Sequence, residues 1–245
     1  TGGVDTRAVI AGLHGNNVRM RLLTWTGGRL PEAERPVVIE MAEHLKFPHD
    51  FLDPSPIAKT DIDKTILDAS NISTGFCRGR SKLTLAMSTY KDINDIFIRG
   101  YGGEIIRGFY NRHLLDRGSS ANFESGLCET LSSLYITKKN KNSSFEFKEF
   151  VSLATQDYLD RTVFPVDCRG FDPLDVFYWE QRMGVWGANM HNELDSAMDS
   201  WTGLNSRVLY ETAFGLPKEY RLGKNIMLDM TSLYDKEFAE MGIVS

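Results

Sequence analysis

A chain of 245 residues, 42% hydrophobic and 25% charged, is long enough to bury a large core and excludes a disordered or fibrous protein. Its net charge of −5 argues against a nucleic-acid partner, and no apolar run reaches membrane-spanning length, so no membrane partner is expected either. Cys77, Cys128 and Cys168 are far apart with no CxxC pair, which argues against a disulfide framework or a zinc site and fits a reducing cytoplasm.

The chain opens on TGGVDT. Gly2 and Gly3 stand between the hydroxyls of Thr1 and Thr6, with Asp5 beside them. Backbone N–H groups and hydroxyls of such a stretch converge on a phosphate, while Asp5 can hold a divalent cation. The same hexapeptide also reads as a plain turn with a helix cap. A helix over 6–13 starts on this loop, so its positive end faces whatever anion the loop holds. Residues 18–25 (VRMRLLTW) alternate and predict a strand that ends at Trp25 and Thr26. Val38, Met41, Ala42 and Leu45 fall at helical spacing over 34–45, and Phe51 and Leu52 end a further strand. Loop, helix, strand, helix, strand implies a parallel sheet with right-handed crossovers. A phosphate loop of this kind follows a buried central strand, and none stands before Thr1, so these residues are expected to be part of a longer protein.

A helix is predicted over 61–72. A short strand over 95–99 (DIFIR) then runs into Gly100, Tyr101, Gly102 and Gly103, and a helix follows over 104–112. This second strand, glycine turn and helix unit is expected to face the same pocket as the first, since ligands gather at the carboxyl ends of parallel strands. Further helices are predicted over 123–136, 145–162, 172–189, 205–216 and 224–234, with a polar break over 138–144. The fold class is therefore α/β: a parallel twisted sheet flanked by helices over 1–120, and a mostly helical part over 121–245. The aromatic block 177–186 reads as a buried helix without a catalytic role, and His49 reads as structural.

On these residues the chain resembles the asparagine synthetase-like family of N-type ATP pyrophosphatases. TGGVDT is similar to that family's PP-loop, SGGxDS, with Thr1 and Thr6 in place of the two serines. The resemblance implies an adenine nucleotide alpha hydrolase-like fold. It also implies that Thr1, Gly2, Gly3, Asp5 and Thr6 hold the pyrophosphate of ATP, with Mg2+ on Asp5. RGYGGEIIRGFY, over 99–110, is similar to the family's GDGxDE stretch and the turn after it, which adds Gly102 and Gly103 to the phosphate-binding set. The place of the inner metal-binding aspartate is taken by Gly103, with Glu104 next to it. Either Glu104 supplies the second carboxylate, or Asp5 holds the ion with phosphate and water alone. Glu104 also reads as a helix-start carboxylate facing its own macrodipole. Over 201–227, Asn205 stands where the family has an acid, Arg207, Leu216 and Pro217 match, and Lys224 falls at the place of the family's catalytic lysine. Such a lysine stabilises charge on an acyl-adenylate and on the tetrahedral intermediate; an exposed helix-start lysine is the plainer alternative. Trp25 and Thr26 stand where the class holds adenine, and Trp25 reads equally well as a core aromatic.

The resemblance implies an ATP-dependent ligase that adenylates a carboxylate and forms an amide, releasing AMP and pyrophosphate. Its partners are a small-molecule or peptide carboxylate and an amine donor, together with a separate glutaminase or upstream domain. The alternative is a non-catalytic nucleotide-binding or scaffold domain derived from that family, to which Gly103 and Asn205 point.

Overall fold

The computed structural model describes residues 2–26, 34–55, 64–74, 81–90, 96–116, 118, 126–135, 145–162, 164 and 170–242. Thr1, Cys77, Cys168 and the 138–144 break lie outside them. Within them the chain is a mixed α/β protein, mostly helical, with small parallel sheets.

Helix α1 (Val4–Gly15) begins inside the TGGVDT motif. Strand β1 (Leu22–Trp25), helix α2 (Glu34–Leu45) and strand β2 (His49–Leu52) then form the anticipated crossover, with Leu22 opposite His49 and Trp25 opposite Leu52 in a parallel ladder. The strand is shorter than the alternation over 18–25 predicts. Its partner starts only after Lys46, which turns the chain with φ of 57°, so the residues before Leu22 face no partner backbone. Helix α2 buries Val38, Met41, Ala42 and Leu45, the residues that its spacing singles out, and packs Met41, Ala42 and Leu45 with Ile10 and Ala11 of α1 and with Phe238.

Helices α3 (Lys64–Ser73) and α4 (Ser81–Tyr90) lead to β3 (Phe97–Arg99). The helix predicted over 104–112 is two pieces, α5 (Gly103–Ile106) and α6 (Phe109–Leu115). Gly108 breaks it with φ of +57°, a backbone conformation that side chains rarely adopt, and a Cβ there would lie 2.9 Å from Leu222 Cδ2, which would have to shift.

Helices α7 (Leu127–Tyr135) and α8 (Phe145–Thr162) follow the predicted pattern. The run predicted over 172–189 starts with α9 (Pro173–Phe177), capped by the Asp172 carboxylate accepting from Leu174 N–H at 2.9 Å. It widens into a π-helix over Tyr178–Gly187 before α10 (Ala188–Asp195). The wider turn brings Phe177, Tyr178 and Trp179, three consecutive aromatics, onto the core.

Strand β4 (Ser200–Thr202) pairs in parallel with β3, Arg99 opposite Thr202. The sequence reading has only helices in this region. Three residues with an exposed Trp201 carry no alternation to detect. Helices α11 (Arg207–Phe214), α12 (Lys218–Arg221), α13 (Asn225–Ser232) and α14 (Lys236–Glu240) complete the chain. Among the described residues the strands form two separate two-stranded ladders, and no helix is long and apolar enough to cross a membrane. The main core gathers Val4, Ala8 and Val9 of α1 with Ile105, Leu174, Phe177, Tyr210 and Met227, so both halves of the chain close around α1.

Candidate functional site

Gly3 is the N-cap of α1, in extended conformation (φ −73°, ψ 149°) and with no side-chain cap. Val4 is buried in the main core, which anchors the first turn and sets Asp5 and Thr6 beside it, both half-buried. The end of β3 closes directly on them. A Cβ on Gly100 would lie 2.5 Å from Thr6 N, and one on Gly103 would lie 2.3 Å from Asp5 Cγ and 2.4 Å from its Oδ1. Gly102 enters α5 with φ of +97°, and a Cβ there would meet the Tyr210 hydroxyl at 2.4 Å. The two glycine units are thus in mutual contact, which leaves no room for a side chain at Gly100 or Gly103, while Gly102 is required by its positive φ.

Asp5 is held by Arg107 in a two-pronged ion pair, Nε to Oδ1 at 2.8 Å and Nη2 to Oδ2 at 2.7 Å, both side chains about one-seventh exposed. Glu104 adjoins the pair. Its Oε2 is buried without a hydrogen-bond partner among the described residues, and burial first, then the Asp5 charge, push its pKa up. Tyr210 and Tyr178 line the same interior: burial, with the Glu104 charge nearby, pushes the Tyr210 hydroxyl up to about 12 and Tyr178 upward as well. Glu34, in the first turn of α2, places its carboxylate oxygen 2.8 Å from where a Gly2 Cβ would stand.

These residues do not fit a resident Mg2+ as they are arranged. Arg107 occupies both oxygens of Asp5, burial disfavours the Glu104 anion, and no group of three or more His, Cys, Asp or Glu side chains among the described residues is placed to hold a metal.

Lys224 is the N-cap of α13, which packs along α1. Tyr234 lies against Gly12 and Gly15 near the far end of α1, while Arg221 donates to the Ile106 carbonyl at 3.2 Å next to the glycine unit. The two helices therefore run in the same sense, which brings Lys224 to the end of α1 that carries Asp5. Its ammonium makes no ion pair with either carboxylate. Asn205 is exposed, and Arg207 pairs with Glu211 along the surface of α11.

Trp25, at the carboxyl end of β1, stacks at 5.6 Å on Phe97, at the amino end of β3, and lies under the Arg99 guanidinium at 5.0 Å, so that it bridges the two ladders. Its Nε1 is buried without a partner among the described residues. Thr26 continues the ladder by donating its N–H to Leu52 O at 3.0 Å. His49 Nε2 shares a hydrogen bond of 3.0 Å with Thr24 Oγ1, and burial lowers its pKa, as suits a structural residue.

The structure thus brings together Gly2, Gly3, Asp5, Thr6, Gly102, Gly103 and Glu104, and adds Arg107 and Tyr210, to which the sequence gives no role, Glu34, which the sequence only sets near the start of α2, and Tyr178, from the aromatic block read as a buried helix without a catalytic role. Arg107 had one signal, a cation one helical turn after Glu104 in the second glycine unit. No family model, no curated protein and no solved structure matches this chain.

Proposed function

We propose that this chain is an asparagine synthetase-like, ATP-dependent ligase of the cytoplasm, with an adenine nucleotide alpha hydrolase-like fold, that adenylates a carboxylate and forms an amide. The observation that carries the reading is the closure of the Gly100–Glu104 loop on Asp5 and Thr6, which joins the two motifs of the resemblance at one helix N-terminus. Gly2, Gly3 and the first-turn N–H groups of α1 receive the phosphates, aided by the positive end of that helix. Trp25 and Thr26 border the adenine. A substrate carboxylate oxygen attacks the α-phosphorus and the bond to pyrophosphate breaks. An amine then attacks the acyl carbon, the bond to AMP breaks, and the amine gives up a proton. Lys224, at the same end of α1, stabilises the negative charge that develops in both steps. No step is drawn through Mg2+, which the arrangement of Asp5 and Glu104 does not fit.

Carboxylate-dependent exchange of labelled pyrophosphate into ATP tests the ligase. Exchange with at least one member of a broad carboxylate panel is expected, and Lys224→Ala should slow it by about 100-fold, the scale of losing one preorganised charge partner. A second reading, a non-catalytic nucleotide-binding or scaffold domain, is favoured by the hold of Arg107 on Asp5. It predicts calorimetric ATP binding with no exchange on any carboxylate.

A further inference from the structure

We propose that Arg107 is the resident cation of the glycine loop, so that a polyphosphate is received by a guanidinium and backbone N–H groups with no divalent ion on Asp5. Its metal half stands on geometry alone, and its phosphate half rests on the nucleotide-binding reading above. Three observations meet here. Arg107 takes both oxygens of Asp5 through Nε and Nη2, using one edge of the guanidinium. Nη1 has no hydrogen-bond partner among the described residues and is not buried, which leaves its donors for an incoming phosphate oxygen. Gly103, which stands where the resemblance has an acid, leaves the room that Asp5 fills: any side chain there would begin 2.3 Å from Asp5 Cγ. A second carboxylate and the Asp5–Arg107 pair are therefore alternatives at one place, and this chain carries the pair. Arg107 is itself held in position, its N–H bonded to Gly103 O at 3.0 Å at the end of α5.

A dication beside Asp5 would share that carboxylate with a fixed positive charge, which weakens its binding. Titration of the full chain with Mn2+, followed by electron paramagnetic resonance, reads this directly. Wild type should take up Mn2+ only in the millimolar range, and Arg107→Ala should tighten it by about tenfold or more. That gain should be lost again in Arg107→Ala/Asp5→Asn. Micromolar Mn2+ binding by wild type overturns the proposal without need of any variant.

Calorimetry with ATP in EDTA and in Mg2+ supplies the second arm. Dissociation constants within about threefold of each other are expected for wild type, with Arg107→Ala weakening binding in EDTA by about tenfold, the worth of one charge-assisted hydrogen bond. Binding that demands Mg2+ overturns the proposal and leaves the nucleotide reading standing. No binding in either condition removes the nucleotide reading and the phosphate half, while the Mn2+ arm still judges Arg107.

Discussion

The side chain of Asp5 and the absence of one at Gly103 depend on each other. The carboxylate of Asp5 fills the space that a methyl group on Gly103 would need, so Gly103→Ala should destabilise by about 1–3 kcal/mol through overpacking, read as a lower urea midpoint at unchanged m-value. A midpoint equal to that of the parent would mean that the two loops part at no cost. Glu104 makes a prediction of opposite sign. Its folded-state pKa is raised by burial, so the stability it contributes is full at low pH and is lost as pH rises through that value. Glu104→Gln keeps the shape and removes the charge. Its melting temperature relative to wild type should therefore rise from pH 5 to pH 8, and a flat difference across that range would contradict the burial argument. Asp5, Gly103 and Glu104 are all legible in the sequence because they sit inside short motifs. The Arg107–Asp5 pair is not, because its partners are 102 residues apart and only the fold brings them together.

At the scale of elements, a buried ion pair ties the second glycine unit to the C-terminal helices. Arg221 of α12 donates to the Asp175 carboxylate of α9 at 2.6 Å and to the Ile106 carbonyl of α5, with both charged side chains almost fully buried. Asp175→Ala leaves that guanidinium uncompensated and should cost about 3–5 kcal/mol in urea unfolding; a loss below about 1 kcal/mol, the range of an exposed pair, would show that the guanidinium reaches solvent. Burial pushes Asp175 up to about 6 even though Arg221 pulls it down. Arg7, wholly buried one turn into α1, likewise donates to the carbonyls of Phe238, Met241 and Gly242 and so fastens α14 and the turn after it against the loop-bearing helix. Helices α2 and α8 are legible because their periodic or uninterrupted patterns carry the signal locally. Strand β4 and helix α14 are too short for a period, and the break at Gly108 depends on the approach of Leu222 from far along the chain.

For the whole molecule, α1 is the shared centre: its core partners come from α5, α9, α11 and α13, and β3 finds its ladder partner in β4. Residues 1–120 expressed alone lack most of those partners and should show no cooperative thermal transition by circular dichroism; a sharp transition would mean that the first half carries a core of its own. The parallel crossover from β1 to β2 was legible as an alternation of elements, whereas the pairing of β3 with a strand from the helical half was not, since it is set by tertiary packing. The central claim is that ATP phosphates are received where the two glycine units meet. Amide hydrogen exchange of the full chain with and without saturating ATP tests it most directly. Slowed exchange confined to residues 2–7 and 100–107 is the predicted result, and ATP binding that leaves both stretches unprotected would contradict it.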